Sequence, residues 1–501
     1  MSVAPAALRI HPDDSVAVAL RPLSAGETVE VAGQRIALSQ DVPQGHKIAL
    51  RPHREGEPVT RYGHPIGRAT APIEFGEHVH SHNLATALQA GGEYAYEPQP
   101  APSSPAPARA STFQGYLRAD GRVGTRNEIW VLNTVGCVNA TAARVAKAGA
   151  QIVEKRGGAD GVHAFAHPFG CSQLGDDLSA TRDVLRGLAV HPNAGGVVLI
   201  GLGCENNQLD AFLDGLPEAA RERVVPYAAQ SVFDEEEEGI RAVETLLERM
   251  SGDRRETRPA SDLTLGMKCG GSDALSGLTA NPLVGRMTDR VTAAGGSALL
   301  TEVPEMFGAE RLLMNRAENK AVYDEIVRMV TGFKDYFVRH DQPVYENPSP
   351  GNKEGGLTTL EEKSLGAVQK GGSATVTDVL SYAQPRRRPG LSLLTAPGND
   401  AVSCTALAVS GATVILFTTG RGTPLGFPVP TLKIASNSTL AERKPRWIDF
   451  DAGPVATGEA TVEEAADALW DKILRTASGE AARNEENGYR EIAMWKTGVT
   501  L

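Results

Sequence analysis

Hydrophobic and polar positions alternate in short runs near the start of the chain. Val16 to Leu20, Thr28 to Val31, Arg35 to Leu38 and Lys47 to Leu50 are separated by Pro and Gly turns, which is the spacing of a small all-β unit. This unit is expected over residues 1–96. From Glu97 to Thr112 the chain reads EPQPAPSSPAPARAST. Such a composition favours extended polyproline geometry over packing, so 97–112 is expected to be a linker. Beyond it the pattern changes to apolar run, glycine-containing loop and helical stretch. Strands are expected at Ile129–Leu132, Gly161–Ala166, Gly196–Ile200, Asp262–Leu265, Ser297–Leu300, Leu391–Leu394 and Thr413–Phe417. Helices are expected at Asn139–Lys155, Leu178–Leu188, Glu235–Arg249 and Glu310–Phe337. Strands alternating with helices imply crossover units and mostly parallel sheets, an α/β fold with Rossmann-like topology. The polar run Ser251 to Ser261 divides this part into two α/β units, 113–258 and 259–501, and the acidic run Asp234 to Glu238 reads as a solvated helix start.

Composition narrows the class. Gly makes up 53 of 501 residues, or 10.6%, without a three-residue period, and 41% of residues are hydrophobic. Collagen-like and disordered classes are thereby excluded. The net charge is 50 − 61 = −11 with no basic run, which argues against nucleic acid and anionic membrane surfaces as partners. The start has no basic segment followed by an apolar core, and no apolar run approaches a bilayer span. A cytoplasmic chain is expected. Five Cys without a CxxC pair make a disulfide framework a poor reading, and reduced thiols a better one.

The thiols carry the main chemical signal. Cys137, Cys171, Cys204 and Cys269 each follow an expected strand and stand beside a Gly, whereas Cys404 does not fit this pattern. The first three are 34 (171 − 137) and 33 (204 − 171) residues apart, about one strand-helix unit each. The carboxyl ends of parallel strands form the crevice where ligands bind, so separate loops bring the thiols to one rim. Glu302 and Glu305 follow Ser297–Leu300 in the same way. Lys268, Ser272, Asp273 and Arg421 stand in or beside the Gly-rich loops KCGGSD and TTGRGTP, as carboxylate and hydroxyl contacts would. In GEHVHSHN, His78, His80 and His82 alternate, which places the three imidazoles on one side of an extended segment, for metal or acid/base work. GLGCEN lacks the third glycine of a dinucleotide loop and has no supporting acidic strand end.

The segments GYLRADGRVGTRNE, NTVGCVN, FGCSQLGDD, HPNAGGVVLIGLGCENNQ, KCGGSDALSGLTANPLVG, LTEVPEMFGAE, HDQPVYENPSPGNKEGG, APGNDAVS, GRGTPLG and WIDFDAG run through nearly the whole chain. Together they resemble the altronate/galactarate dehydratase family of sugar-acid dehydratases, which also includes sulfolactate sulfo-lyase. The resemblance implies an N-terminal SAF-type (β-clip) domain carrying GEHVHSHN. It further implies a hydro-lyase converting D-altronate to 2-dehydro-3-deoxy-D-gluconate in hexuronate catabolism, a need for Fe²⁺ (Mn²⁺ also serving), sensitivity to oxidation, and a homodimer. Cys171, Cys204 and Cys269, with Cys137 as a fourth thiol, suit iron or an iron–sulfur centre. His80 and His82 with Glu302 or Glu305 form an alternative metal set, and the same four residues are candidates for the acid/base roles.

Overall fold

The computed structural model describes residues 5–88, 94–99, 111–498 and 500. Most of the expected linker, 100–110, lies outside the described residues.

The N-terminal unit is all β. Ala7–Leu8, Val16–Ala19, Lys47–Ala49 and His78–Val79 form an antiparallel sheet in that order, beside the hairpin Thr28–Val31/Gln34–Ala37 and the three-stranded sheet Pro58–Arg61, His64–Ala69 and Leu84–Ala85. Alternation puts Val29, Val31, Ile36 and Ile48 into a small core of its own. Val59, Ile66 and Leu84 instead join the large core containing Leu283, Phe307 and Leu360, so the domain is packed onto the rest of the chain.

The first α/β unit holds a parallel sheet ordered Gly161–Ala164, Glu128–Asn133, Ala194–Gly201, Val224–Ala228. The second holds seven parallel strands ordered Val376–Leu380, Gly390–Leu394, Ser297–Leu300, Thr264–Cys269, Val414–Thr419, Thr431–Ala435, Phe450–Asp451. All eight residues of Ala194–Gly201 are buried, as expected of a strand covered on both faces. The polar run at 251–261 contributes strand Glu256–Pro259, which pairs antiparallel with Thr112–Leu117 and straps the two units together. One core is common to both sheets: Leu132 and Leu199 from the first, Leu299, Leu394 and Phe417 from the second.

Helix Glu235–Arg249 starts where expected because the Asp234 carboxylate caps the amides of Glu236 (3.0 Å) and Glu237 (2.9 Å). The long helix expected at Glu310–Phe337 is instead two, Glu310–Met314 and Lys320–Arg339. Ala317 leaves the helical path to bridge Val376, and Asn319 caps a new start. The strand expected at Asp262–Leu265 runs over Thr264–Cys269, Asp262 belonging to a short 3₁₀ turn, so Cys269 ends the strand rather than following it. In GEHVHSHN only His78–Val79 is extended; His80 opens a turn closed by the Asn83 amide.

Candidate active site

Two neighbouring parallel strands end in chemistry. Thr264–Cys269 delivers Lys268 and Cys269, while Ser297–Leu300 leads into Glu302 and Glu305. Glu302 sits at φ +71°, the left-handed region that non-glycine residues seldom occupy. That turn aims its carboxylate at Lys268 Nζ and at the Cys269 amide (3.0 Å). Lys268 also donates to the Cys269 carbonyl (2.7 Å) and pairs with Asp400 (3.0 Å). The Cys269 thiol faces Glu305 Oε2 (3.2 Å) and accepts from Lys370 Nζ at 2.8 Å. Lys370 reaches Glu302 at 3.3 Å, and Lys363 reaches Glu305 at 2.9 Å. All of these side chains except Asp400 are buried.

Three ammoniums thus face three carboxylates, and this balance fixes the protonation states. Burial opposes the Lys268 charge, but Glu302 and Asp400 outweigh it and hold the pKa well above the usual lysine value. Burial likewise opposes the Lys370 charge, and Cys269 with Glu302 outweighs it. Burial and the two carboxylates push the Cys269 thiol up to about 12. Burial works against the Glu305 carboxylate, yet Lys363, Lys268 and Lys370 bring it down to about 2. Near neutral pH the thiol is protonated, Glu305 is ionised, and Lys268 and Lys370 are charged.

A second cluster lies on the N-terminal domain. His46 Nδ1 is 2.9 Å from His78 Nε2, and the His46 ring is 4.6 Å from that of His80. His82 lies 5.3 Å from His78 by ring centroids. The histidines therefore gather as expected, through the turn rather than an extended strand. Burial and mutual repulsion depress His78 to about 3; burial and Lys47 depress His80 to about 4, so both are neutral near pH 7. His46 contacts the Glu354 carbonyl (3.2 Å) and His80 the Thr358 hydroxyl (3.0 Å).

Helix Leu360–Ala367 joins the two clusters, and all eight of its residues are buried. Glu361 accepts from Thr86 and Ala87 (both 2.8 Å). Glu362 pairs with Lys47 (3.0 Å) and Arg61 (2.5 Å). Lys363 turns the other way, to Glu305 and to Asn352 Oδ1 (3.2 Å).

The remaining expected site residues fall in several places. Asp273 is saturated by Ser276, Ser436 and Asn437, so it holds loops together. Ser272 is buried, its carbonyl accepting from Asn352 (2.8 Å). Arg421 pairs with Glu354 (2.9 Å), whose carbonyl meets His46, and so borders the histidines. The structure divides the thiols: Cys269 is buried in the seven-stranded unit, while Cys137, Cys171 and Cys204 are exposed at the ends of three adjacent strands of the other sheet. Sequence reasoning missed His46, Lys363, Lys370 and Asp400. Lys363 and Lys370 lie in LEEKSLGAVQKGG, which reads as an ordinary solvated helix, and only their burial marks them.

The chain matches the family model for the D-galactarate/altronate dehydratase C-terminal region over residues 260–500, that for the second domain of D-galactarate dehydratase/altronate hydrolase over 115–251, and that for the altronate/galactarate dehydratase SAF domain over 5–87. It is 51% identical over 494 residues to altronate dehydratase of Escherichia coli (strain K12), covering 99% of each chain. The chain belongs to the altronate/galactarate dehydratase family. Altronate dehydratase of Bacillus subtilis (strain 168) is 47% identical over 497 residues, again covering 99% of each chain. The L-threo-forming galactarate dehydratase of Escherichia coli (strain K12) is 35% identical over 500 residues, covering 94% of this chain and 92% of its own. As a member of this dehydratase family the chain is a hydro-lyase, and the SAF domain is the all-β unit that carries the histidines. Among the described residues no helix is long and apolar enough to cross a membrane.

Proposed function

We propose that this dehydratase removes water from D-altronate to give 2-dehydro-3-deoxy-D-gluconate. The observation that carries the reading is the buried set of Lys268, Lys363 and Lys370 around Glu302 and Glu305. A proton next to a carboxylate is hard to remove unless the enediolate is stabilised, and preorganised positive charge in a dry site does this. Glu305, ionised, takes the C2 proton, with Glu302 as its partner in the acid/base pair. Electrons pass into the C2–C3 bond as the C3 hydroxyl leaves, taking a proton from a lysine ammonium to form water. The enol then tautomerises to the 2-keto acid. His80, His82, Ser272 and Arg421 are proposed to receive substrate hydroxyl and carboxylate groups. Lys268 and Asp273 act from within the wall, Asp273 by fixing its loops.

Fe²⁺ is the cofactor of this reading, and when bound it polarises the substrate carboxylate and the leaving hydroxyl. The ligand atoms of Cys269, Glu302 and Glu305 lie within 4.8 Å of one another, close enough to share one ion. The three ammoniums already neutralise that set, so a divalent ion there must displace one of them. Soft, exposed thiols suit iron better, and Mn²⁺ suits them poorly. A cytoplasmic homodimer completes the proposal, its assembly checked by sedimentation.

Anaerobic assays with D-altronate, galactarate and sulfolactate test the reading by following 2-keto acid and sulfite. Altronate is expected to give keto acid fastest. Preferential turnover of galactarate, or sulfite release from sulfolactate, replaces the substrate; no turnover of any of the three overturns the dehydratase assignment.

A further inference from the structure

A cavity of about 780 Å³ lies in the cleft between the two α/β units, away from the Lys/Glu cluster. Pro389, Thr264 and Thr413 in its wall stand at the amino ends of strands Gly390–Leu394, Thr264–Cys269 and Val414–Thr419. Thr264 and Cys269 are the two ends of one strand, about 17 Å apart, so the cavity is separate from the catalytic cluster. Arg122 and Arg186 enter it from the first unit, Arg386 and Ser410 from the second. Its volume is that of a small-molecule site, about 300–1,000 Å³, and such sites collect at domain boundaries.

Two of the three guanidiniums are committed to the protein. Arg122 pairs with Asp120 (2.6 Å) and donates to the Val190 carbonyl (2.6 Å) at the carboxyl end of helix Gly175–Ala189. Arg186 donates to the Phe212 carbonyl (3.1 Å) and stands 3.8 Å from Asp183. Asp262, the other carboxylate in the wall, is taken by Arg258 (2.7 Å). Arg386 differs. Among the described residues its half-buried guanidinium makes no hydrogen bond and no ion pair, while its backbone amide donates to the Ser410 carbonyl (3.0 Å). Burial and the like charge of Arg122 lower its pKa from the ordinary arginine value, and Asp262 offsets this only in part. An anion is what relieves a cation so placed.

Polar groups without partners stand beside it. The Ser410 Oγ is buried and makes no hydrogen bond. Gln384, two residues from Arg386, accepts from the Ser381 amide through Oε1 (2.9 Å), and among the described residues its Nε2 donates to nothing. In a chain of net charge −11, a cation, a hydroxyl and an amide donor thus meet in one wall of a cavity, the donor set that carboxylates and phosphates take.

Helix Asp400–Val409 joins this wall to the catalytic cluster. Its first residue, Asp400, pairs with Lys268 (3.0 Å), whereas Val409 and the capping Ser410 line the cavity. Ten helical residues span about 15 Å, so one rigid element reaches from one site to the other. The geometry points to an effector site for a small organic anion bearing a phosphate or carboxylate group, held by Arg386, Ser410 and Gln384 and coupled through this helix to the Lys268–Asp400 pair. Its effect on turnover rests on the dehydratase reading above; its binding does not.

The test uses the full chain at constant ionic strength, with glycerol 3-phosphate as the phosphate probe and glutarate as the carboxylate probe. Titration calorimetry should show saturable binding of at least one, which identifies the head group. Arg386→Met should weaken that binding about tenfold or more, while Arg386→Lys, which keeps the charge, should retain most of it. Arg388→Met, at an arginine that pairs with Glu318, should leave it unchanged. Hydrogen exchange of the Asp400–Val409 amides should slow on binding in wild type but not in Arg386→Met. With D-altronate as substrate, the bound probe should change kcat by about fivefold or more, and Arg386→Met should keep the unloaded kcat and lose the response. No saturable binding of either probe, equal binding by wild type and Arg386→Met, competition with D-altronate, helix exchange that ignores the probe, or an active enzyme whose kcat ignores it overturns the proposal. Saturable binding and slowed exchange in a protein that forms no keto acid counts against the dehydratase reading alone.

Discussion

Replacing Glu362 by Gln keeps the side-chain volume and removes one buried charge. Lys47 and Arg61 are each 0% exposed and share that carboxylate. Lys47 retains the Gly356 carbonyl and Thr358 hydroxyl, both at 2.8 Å, whereas Arg61 retains one hydrogen bond, to the Ala274 carbonyl (2.7 Å), and the Tyr62 ring at 4.6 Å, and its Nε has no hydrogen-bond partner. Breaking a buried pair from one side costs about 3–5 kcal/mol, because the remaining charge is left uncompensated. At about 2–4 °C per kcal/mol for a domain of this size, the melting temperature should fall by roughly 6–20 °C. Thermal melts and urea titrations of the full chain measure this directly. The charge argument makes a second demand: Lys47→Met, Arg61→Met and Glu362→Leu combined should be more stable than Glu362→Gln, since an apolar replacement of the whole set removes the stranded charges. A Glu362→Gln shift under about 2 °C, or a triple variant less stable than the single one, refutes the reasoning.

Lys370→Met removes an ammonium from both the Cys269 thiol and Glu302; kcat should fall by about 10²–10³-fold with a smaller change in KM, read by keto-acid formation. Gly170→Ala places a Cβ 2.0 Å from the Thr134 carbonyl oxygen at φ +103°, so it should cost at least about 1–3 kcal/mol in a denaturant titration and distort the Cys171 loop. His78 and His80 have folded pKa values of about 3 and 4, below the unfolded value of 6.5. The unfolded chain therefore binds more protons below pH 6.5, and stability should fall as pH drops from 6.5 towards 4. A His78→Asn, His80→Asn double variant should flatten that slope, and an unchanged slope would locate the acid sensitivity elsewhere.

Period and punctuation made the frame legible. Ser297–Leu300 and Glu235–Arg249 occupy the residues expected of them, because an apolar run between turn signals and an acidic cap are local properties. The break between Glu310–Met314 and Lys320–Arg339 was not legible, since it depends on Ala317 pairing with Val376, far along the chain. The same division holds at the site. Cys269, Glu302 and Glu305 could be found because each lies at or just past the carboxyl end of a strand. Lys363 and Lys370 could not: Glu361, Glu362 and Lys363 have the polarity of a solvated helix turn, and only tertiary contacts put them inside. His46 is likewise meaningful only after Lys47–Ala49 pairs with His78–Val79.

The short helix Leu360–Ala367 ties the seating of the SAF domain to the geometry around Glu305. Glu361 and Glu362 are held by the SAF domain, and the next residue, Lys363, holds Glu305. Within a single helical turn these side chains cannot move independently, the rise being about 1.5 Å per residue. A chain whose SAF domain is unseated lacks the contacts that anchor the helix and set Lys363 against Glu305. The helix thus works as an interlock between the docking of the SAF domain and the geometry of the buried Lys/Glu cluster.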